Sequence, residues 1–201
     1  MSAGKKLVVL ISGYGSNLQA ILDAARLDII PAQVCAVVSN KADAHGLERA
    51  RLAGLPAVAH IYKKGQERGD YDRELADIVT SYQPDWVILA GWMRILSSAF
   101  LQRFPNRVVN LHPALPGTFP GTHAIERALE AYHSGQIEHT GVMVHLVPDE
   151  GVDSGPVLNQ RVVSILPEDT VETLEARVHK VEHTLLIETL KILFENPIQG
   201  K

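Results

Sequence analysis

The chain has almost no cysteine, no long apolar run and no excess of basic charge, and each absence removes a class of protein. Its one cysteine, Cys35, cannot build a disulfide framework. Set in the apolar run Val34-Cys35-Ala36-Val37-Val38, it reads as a buried, inert thiol in a reducing compartment. No stretch approaches the roughly 20 apolar residues of a membrane span, and the run 7–11 is too short for a signal-peptide core. These features predict a cytoplasmic protein without a membrane partner. Lys and Arg number 19 against 23 Asp and Glu, a net charge of -4, which provides no electrostatic footprint for nucleic acid. Repeats, low-complexity tracts and long linkers are also lacking. What remains is 201 residues, 46% hydrophobic, enough for one domain with its own core, 1–201.

Short β-branched runs alternate with segments of helical period. Strands are predicted at 7–12, 34–39, 57–61, 86–90 and 107–111, with helices at 17–27, 44–53, 70–82 and 98–104 between them. Repeated βα units of this kind predict an α/β fold with a single doubly wound, mostly parallel sheet and flanking helices. Beyond Pro113 the order changes, to a helix at 123–134, strands at 141–147 and 157–164, and a long amphipathic helix at 171–194.

The first strand runs into Gly13-Tyr14-Gly15-Ser16-Asn17, which opens the first helix. Free backbone N–H groups and the positive helix end favour an anion there. The full dinucleotide fingerprint needs a third glycine where Leu18 stands and an acid at the end of the second strand, where Ser39, Asn40 and Lys41 stand. Both departures point from a dinucleotide towards a monophosphate. The alternative is a plain glycine turn with Ser16 or Asn17 capping the helix.

Asn110-Leu111-His112-Pro113 closes a strand, so period two puts Asn110 and His112 on one face at the carboxyl edge of the sheet, where ligands of open α/β sheets bind. An amide donor beside an imidazole suits oxyanion stabilisation and proton movement in acyl transfer. Asp153, in the turn-rich run Pro148-Asp149-Glu150-Gly151-Val152-Asp153-Ser154-Gly155-Pro156, can reach that edge, and a carboxylate there would raise the His112 pKa; an Asx turn is the alternative. His179-Lys180-Val181-Glu182-His183 fits the H-x-x-E-H zinc pattern, but no third ligand is identifiable beyond Glu188 and Glu195, so no metal is expected. The cluster of His123, His133, His139 and His145 has no ligand spacing and reads as structural or surface.

Taken together, Ile11-Ser12-Gly13-Tyr14-Gly15-Ser16-Asn17-Leu18-Gln19-Ala20, Tyr71-Asp72, Leu89-Ala90-Gly91-Trp92-Met93-Arg94-Ile95-Leu96, Asn110-Leu111-His112-Pro113 and the segment 149–156 resemble, in order and spacing, the glycinamide ribonucleotide formyltransferases over nearly the whole chain. The resemblance implies the Rossmann-like formyltransferase fold, with a ribonucleotide half at about 1–100 and a folate and catalytic half at about 101–201. It implies direct attack of the ribonucleotide amine on the formyl carbon of 10-formyltetrahydrofolate, the co-substrate, in de novo purine synthesis. Catalysis would fall to Asn110, His112 and Asp153, with Gly15, Ser16, Asn17, His179 and Glu182 on the ribonucleotide. Folate would meet Arg68, Met93, Arg94, Ile95, Leu96, Asn110, Pro148, Asp149, Glu150, Gly151 and Val152. Partners would be these small molecules, with the protein a monomer or homodimer. The chain departs from the pattern at Ala114-Leu115-Pro116-Gly117, Val142-Met143 and His179. Deformylases, methionyl-tRNA and sugar-nucleotide formyltransferases share the polar centre; extra domains would set the first two apart. A non-catalytic binding protein of the same fold would have no turnover to lose on His112→Ala.

Overall fold

The computed structural model describes residues 4–195. Strands β1 (Lys5–Ile11), β2 (Ala32–Ser39), β3 (Ala57–Ala59), β4 (Trp86–Leu89), β5 (Val108–His112), β6 (His139–Leu146) and β7 (Val157–Ser164) form one sheet in the order β3-β2-β1-β4-β5-β6-β7. Strands β1 to β5 pair in parallel, while β6 is antiparallel to both β5 and β7. The predicted doubly wound sheet is therefore present, with one reversed strand.

Period-two alternation sorts β1 between two cores. Leu7, Val9 and Ile11 face helices α1 (Ser16–Arg26), α2 (His45–Leu52), α5 (Ala124–His133) and α6 (Val171–Glu195). Val8 and Leu10 face α3 (Arg68–Ser81) and α4 (Ser98–Leu101). Being apolar on both faces is what a parallel strand covered by two helical layers requires. Truncating such a fully buried leucine to alanine costs about 2–5 kcal/mol. Several predictions shift at their ends: β1, β2 and α3 each start two residues earlier, β3 stops at Ala59 as a short edge strand, α4 is a single turn, and β6 starts at His139. Cys35 is half-buried rather than buried.

The long helix α6 buries Leu174, Val178, Leu185 and Leu186 on one stripe, with Glu182 among them. Its start is fixed by polar contacts. Thr170 and Thr173 exchange hydrogen bonds between hydroxyl and backbone N–H, a reciprocal cap. Buried Asp169 accepts from Leu166 N–H and Thr173 Oγ1 and pairs with both terminal nitrogens of Arg177, at 2.6 and 2.8 Å.

Residues 147–156, between β6 and β7, leave the sheet and return. The loop is pinched where Leu146 N–H donates to the Pro156 carbonyl at 2.9 Å. A Cβ on Gly155 would lie 1.9 Å from the Leu146 oxygen, so only glycine permits the pinch.

Candidate active site

The crossover from β1 leads to β2 on one side, and β4 lies on the other, so the strand order reverses between β1 and β4. At such a switch point the loops beyond the strand ends part and leave a crevice. Ser12 ties those loops: its N–H donates to Gly91 O, its hydroxyl accepts from Met93 N–H at 2.8 Å, and that hydroxyl donates to Asn40 Oδ1 at 2.6 Å.

The polar centre stands one strand away, at the end of β5. Asn110 Nδ2 donates to Asp153 Oδ1 at 3.0 Å, His112 Nδ1 lies 3.3 Å from Asp153 Oδ2, and Gly121 N–H donates to that second oxygen at 2.8 Å. Asp153 takes a left-handed φ of 49°, the conformation that turns its carboxylate back over the sheet edge. The structure thus brings together the three residues singled out for catalysis. It adds His145, whose Nε2 is 3.1 Å from Asn110 Nδ2 and 3.5 Å from Asp153 Oδ1. His145 Nδ1 lies 2.8 Å from the Leu146 carbonyl, so that nitrogen donates, and Nε2 faces both the Asn110 amide and the Asp153 carboxylate. The expectation that His145 is merely structural or surface is corrected: it is fully buried against the centre.

Burial pulls the His112 pKa down, and this outweighs the upward pull of Asp153 and of the Phe119 carbonyl, with His145 and Arg127 adding to the fall. Asp153 does pull the His112 pKa up, as expected, but desolvation of the imidazolium is the larger effect. Burial pushes Asp153 up, but contact with His145, the Gly121 N–H and the His112 charge together hold it below the ordinary carboxylate range. The centre contains an ionised carboxylate beside an imidazole that releases its proton easily.

A cavity of about 490 Å³ opens over this centre, lined by Asn110, His112, His145 and Asp153 and walled by 91–96 and by Asp149, Gly151 and Val152. Met93 (62% exposed), Ile95 and Val152 present large apolar side chains at the rim, whereas Leu96 is core. Such exposed apolar groups around a polar floor are the signature of a ligand slot. Of the residues proposed for folate, Arg68, Pro148 and Glu150 do not line this cavity. Arg68 is instead paired with Glu150, whose other oxygen accepts Ser98 N–H at 2.8 Å, so that carboxylate joins the starts of α3 and α4.

The remaining predicted contacts form a separate cluster where α1 meets α6. Gly15 precedes α1 with φ 79°, and an added Cβ would lie 2.8 Å from the Gly46 Cα; glycine is required by both backbone angle and packing. No side chain caps α1, so the alternative of a Ser16 or Asn17 cap is not what the loop does. Asn17 reaches across to Glu182, Nδ2 to Oε2 at 3.3 Å, and His179 Nε2 is 3.8 Å from the same oxygen. Burial raises the Glu182 pKa, opposed by His179 and Asn17. Asn17 Oδ1 is buried with no partner, an acceptor left for a ligand donor. Among the described residues no group of His, Cys, Asp or Glu is arranged to hold a metal ion, and in the H-x-x-E-H run Glu182 turns to Asn17. No described helix is long and apolar enough to cross a membrane.

His145, Arg127 and the Phe119 carbonyl went unmarked in the sequence. The signal for His145 was pairing register: Asn110 stands opposite it across the β5–β6 ladder, and the bulge between Val144 and His145 adjusts its aim.

An open α/β sheet with an Asn, His and Asp centre at its carboxyl edge, under a cavity with an apolar rim, has the groups that acyl transfer requires. The chain belongs to the formyl transferase family, whose model matches residues 5–190. It is 43% identical to a phosphoribosylglycinamide formyltransferase of Dictyostelium discoideum, over 93% of this chain and 97% of that protein. It is 48% identical to the protein of that name from Escherichia coli strain K12, over 89% of this chain and 82% of that one. The crystal structure of glycinamide ribonucleotide transformylase 1 from Symbiobacterium toebii superposes with a TM-score of 0.93 at 40% identity, covering all of this chain and 92% of that chain.

Proposed function

We propose that this enzyme transfers the formyl group of 10-formyltetrahydrofolate to the amine of glycinamide ribonucleotide, releasing tetrahydrofolate and formylglycinamide ribonucleotide in de novo purine synthesis, in the cytoplasm. The observation that carries the reading is the ring of contacts among Asn110, His112 and Asp153 on the floor of a slot with an apolar rim. Family membership supports a folate-type one-carbon donor.

In this reading the free amine attacks the formyl carbon, the carbonyl pair moves to oxygen, and a tetrahedral intermediate forms. One N–H of the Asn110 amide stays against His145 while the other leaves Asp153 and donates to that oxyanion. His112 supplies a proton, which ends on the departing folate nitrogen, while the proton lost by the amine leaves through water held by Asp153. Burial disfavours the imidazolium in the free enzyme. An oxyanion forming beside the ring offsets that penalty, so proton uptake accompanies the chemical step. The Gly15 to Asn17 turn is positioned for the ribonucleotide phosphate by the free N–H groups of α1, with Asn17, Glu182 and His179 at the glycinamide end. Met93, Arg94, Ile95, Leu96 and the 148–152 segment receive the folate, so residues from both halves of the chain, about 1–100 and 101–201, serve each substrate.

The test is absorbance-detected release of tetrahydrofolate from 10-formyltetrahydrofolate, with and without glycinamide ribonucleotide. Release that requires the ribonucleotide and falls by about 10²-fold or more in His112→Ala and Asp153→Asn is expected. Release without the ribonucleotide would identify a deformylase instead, and no release would overturn the assignment.

A further inference from the structure

The turn between β5 and α5 contains a contact that the scheme above leaves unused. His112 Nε2 lies 3.1 Å from the Phe119 carbonyl oxygen, and the same oxygen accepts from the Arg127 guanidinium at 2.8 Å. That guanidinium nitrogen also donates to the Pro120 carbonyl at 2.7 Å, and Arg127 Nε donates to the His123 carbonyl at 3.3 Å. Phe119 and His123 both adopt left-handed φ, 46° and 58°, uncommon for residues with side chains. A turn in such conformations persists when its surroundings hold it. Arg127, in the second turn of α5, does so through three backbone carbonyls.

We propose that Arg127 is a positioning residue for the reaction: through the Phe119 carbonyl it sets the orientation of the His112 ring and how firmly that ring holds its proton. The inference rests on His112 being the proton donor. Both ring nitrogens face oxygens that can only accept, Asp153 Oδ2 at Nδ1 and Phe119 O at Nε2. The ring is therefore fully hydrogen-bonded only as the imidazolium, and these two contacts alone would keep the proton in place. Arg127 acts against them. Its fixed positive charge repels the imidazolium, and its claim on the Phe119 oxygen weakens that oxygen as an acceptor for His112. The charged or titratable groups set against His112 are Asp153 from the 147–156 loop, His145 from β6 and Arg127 from α5. Of these, Arg127 is the one guanidinium. It is half-buried on the outer side of the turn and does not line the cavity, so it acts on the ring and not on the substrate.

The experiment is an NMR titration of His112 in the full-length protein labelled at histidine, comparing wild type, Arg127→Gln and Arg127→Lys, with the pH profile of kcat for each. Arg127→Gln is expected to tighten proton binding at His112 by about threefold, the size of a charge removed across one carbonyl when solvent screens it nearly as bulk water does. Arg127→Lys keeps the charge but not the planar fork that spans two carbonyls, and its midpoint should lie between the others. The alkaline limb of kcat moves up in the same order. An unmoved or lowered midpoint in Arg127→Gln overturns the proposal. So does a fall in kcat that is uniform with pH, which is what a merely loosened turn would give. If His112→Ala abolishes turnover while the Arg127→Gln midpoint stays put, only the Arg127 inference fails. A midpoint that moves while the kcat limb does not overturns His112 as the proton donor, and with it the part of Arg127 in the reaction.

Discussion

Asn110 and His145 face each other across an antiparallel ladder, with the amide nitrogen of the first 3.1 Å from the imidazole Nε2 of the second. That contact aims Asn110. His145→Ala should therefore lower kcat by about tenfold with little change in either KM, since misaimed donors weaken only the transition state. His145→Gln, which keeps an acceptor near the same place, should recover part of the loss. Steady-state kinetics on both variants decide it: a KM effect without a kcat effect would make His145 a wall of the slot instead.

Gly15 supplies a different test. Its φ of 79° and the 2.8 Å approach to Gly46 leave no room for a methyl group. Gly15→Ala should displace the turn, raise the ribonucleotide KM by about tenfold or more and leave the folate KM near wild type, while strain destabilises the fold by about 1–2 kcal/mol. Parallel rises in both KM values would show that the turn does not belong to one substrate.

The Arg68–Glu150 pair lies beside the slot and is exposed to solvent. An anionic folate tail approaching Arg68 has to displace Glu150. Glu150→Gln keeps an acceptor for Ser98 N–H but removes the competing charge, so the folate KM should fall by about two- to fivefold, a range fitting an exposed ion pair. Arg68→Ala should raise it. If salt concentration leaves both effects unchanged, the argument from charge competition is wrong.

Asp169 bears on stability and not on chemistry. The Arg177 guanidinium holds its carboxyl well below the ordinary range, with Leu166 N–H and Thr173 adding to the effect against burial. A folded-state pKa below the unfolded value means the contribution is complete above the unfolded carboxylate pKa, about 3.9, and is lost as pH falls towards the folded value. Asp169→Asn should cost about 2 kcal/mol at pH 7, an amount moderated because Arg177 is partly exposed. Urea unfolding of both proteins at pH 7 and near pH 3 should show the difference shrinking at the lower pH.

The order of strands and helices was legible because both β1 faces are apolar and each helix buries one stripe, the two periodicities that sequence displays directly. Asn110 and His112 were legible for the same reason, as alternate residues at a strand end. Asp153 could be placed near them only as a possibility, since its approach depends on a left-handed φ that no pattern in 148–156 dictates. His145 was missed because its partner is set by the register of β6 on β5, a long-range property, and neighbouring histidines that do lie on the surface obscured it. The upward pull of Asp153 on the His112 pKa was legible and the net direction was not, because sequence reveals the carboxylate and not the depth of burial, and burial is the stronger influence. Arg127 looks like an ordinary polar residue of an amphipathic helix, and only the backbone carbonyls of a folded turn give it a role.

The pinch between Leu146 and Pro156 separates the fate of the loop from that of the sheet. Because its two ends meet at a strand pairing, the entropy of closing the loop is met by β6 and β7 whatever lies between. Residues 148–152 therefore do not have to hold the loop's ends together, and Glu150 is free to reach out to Ser98 and Arg68. The loop is in this sense a cartridge seated by its ends, with Gly155 as the catch.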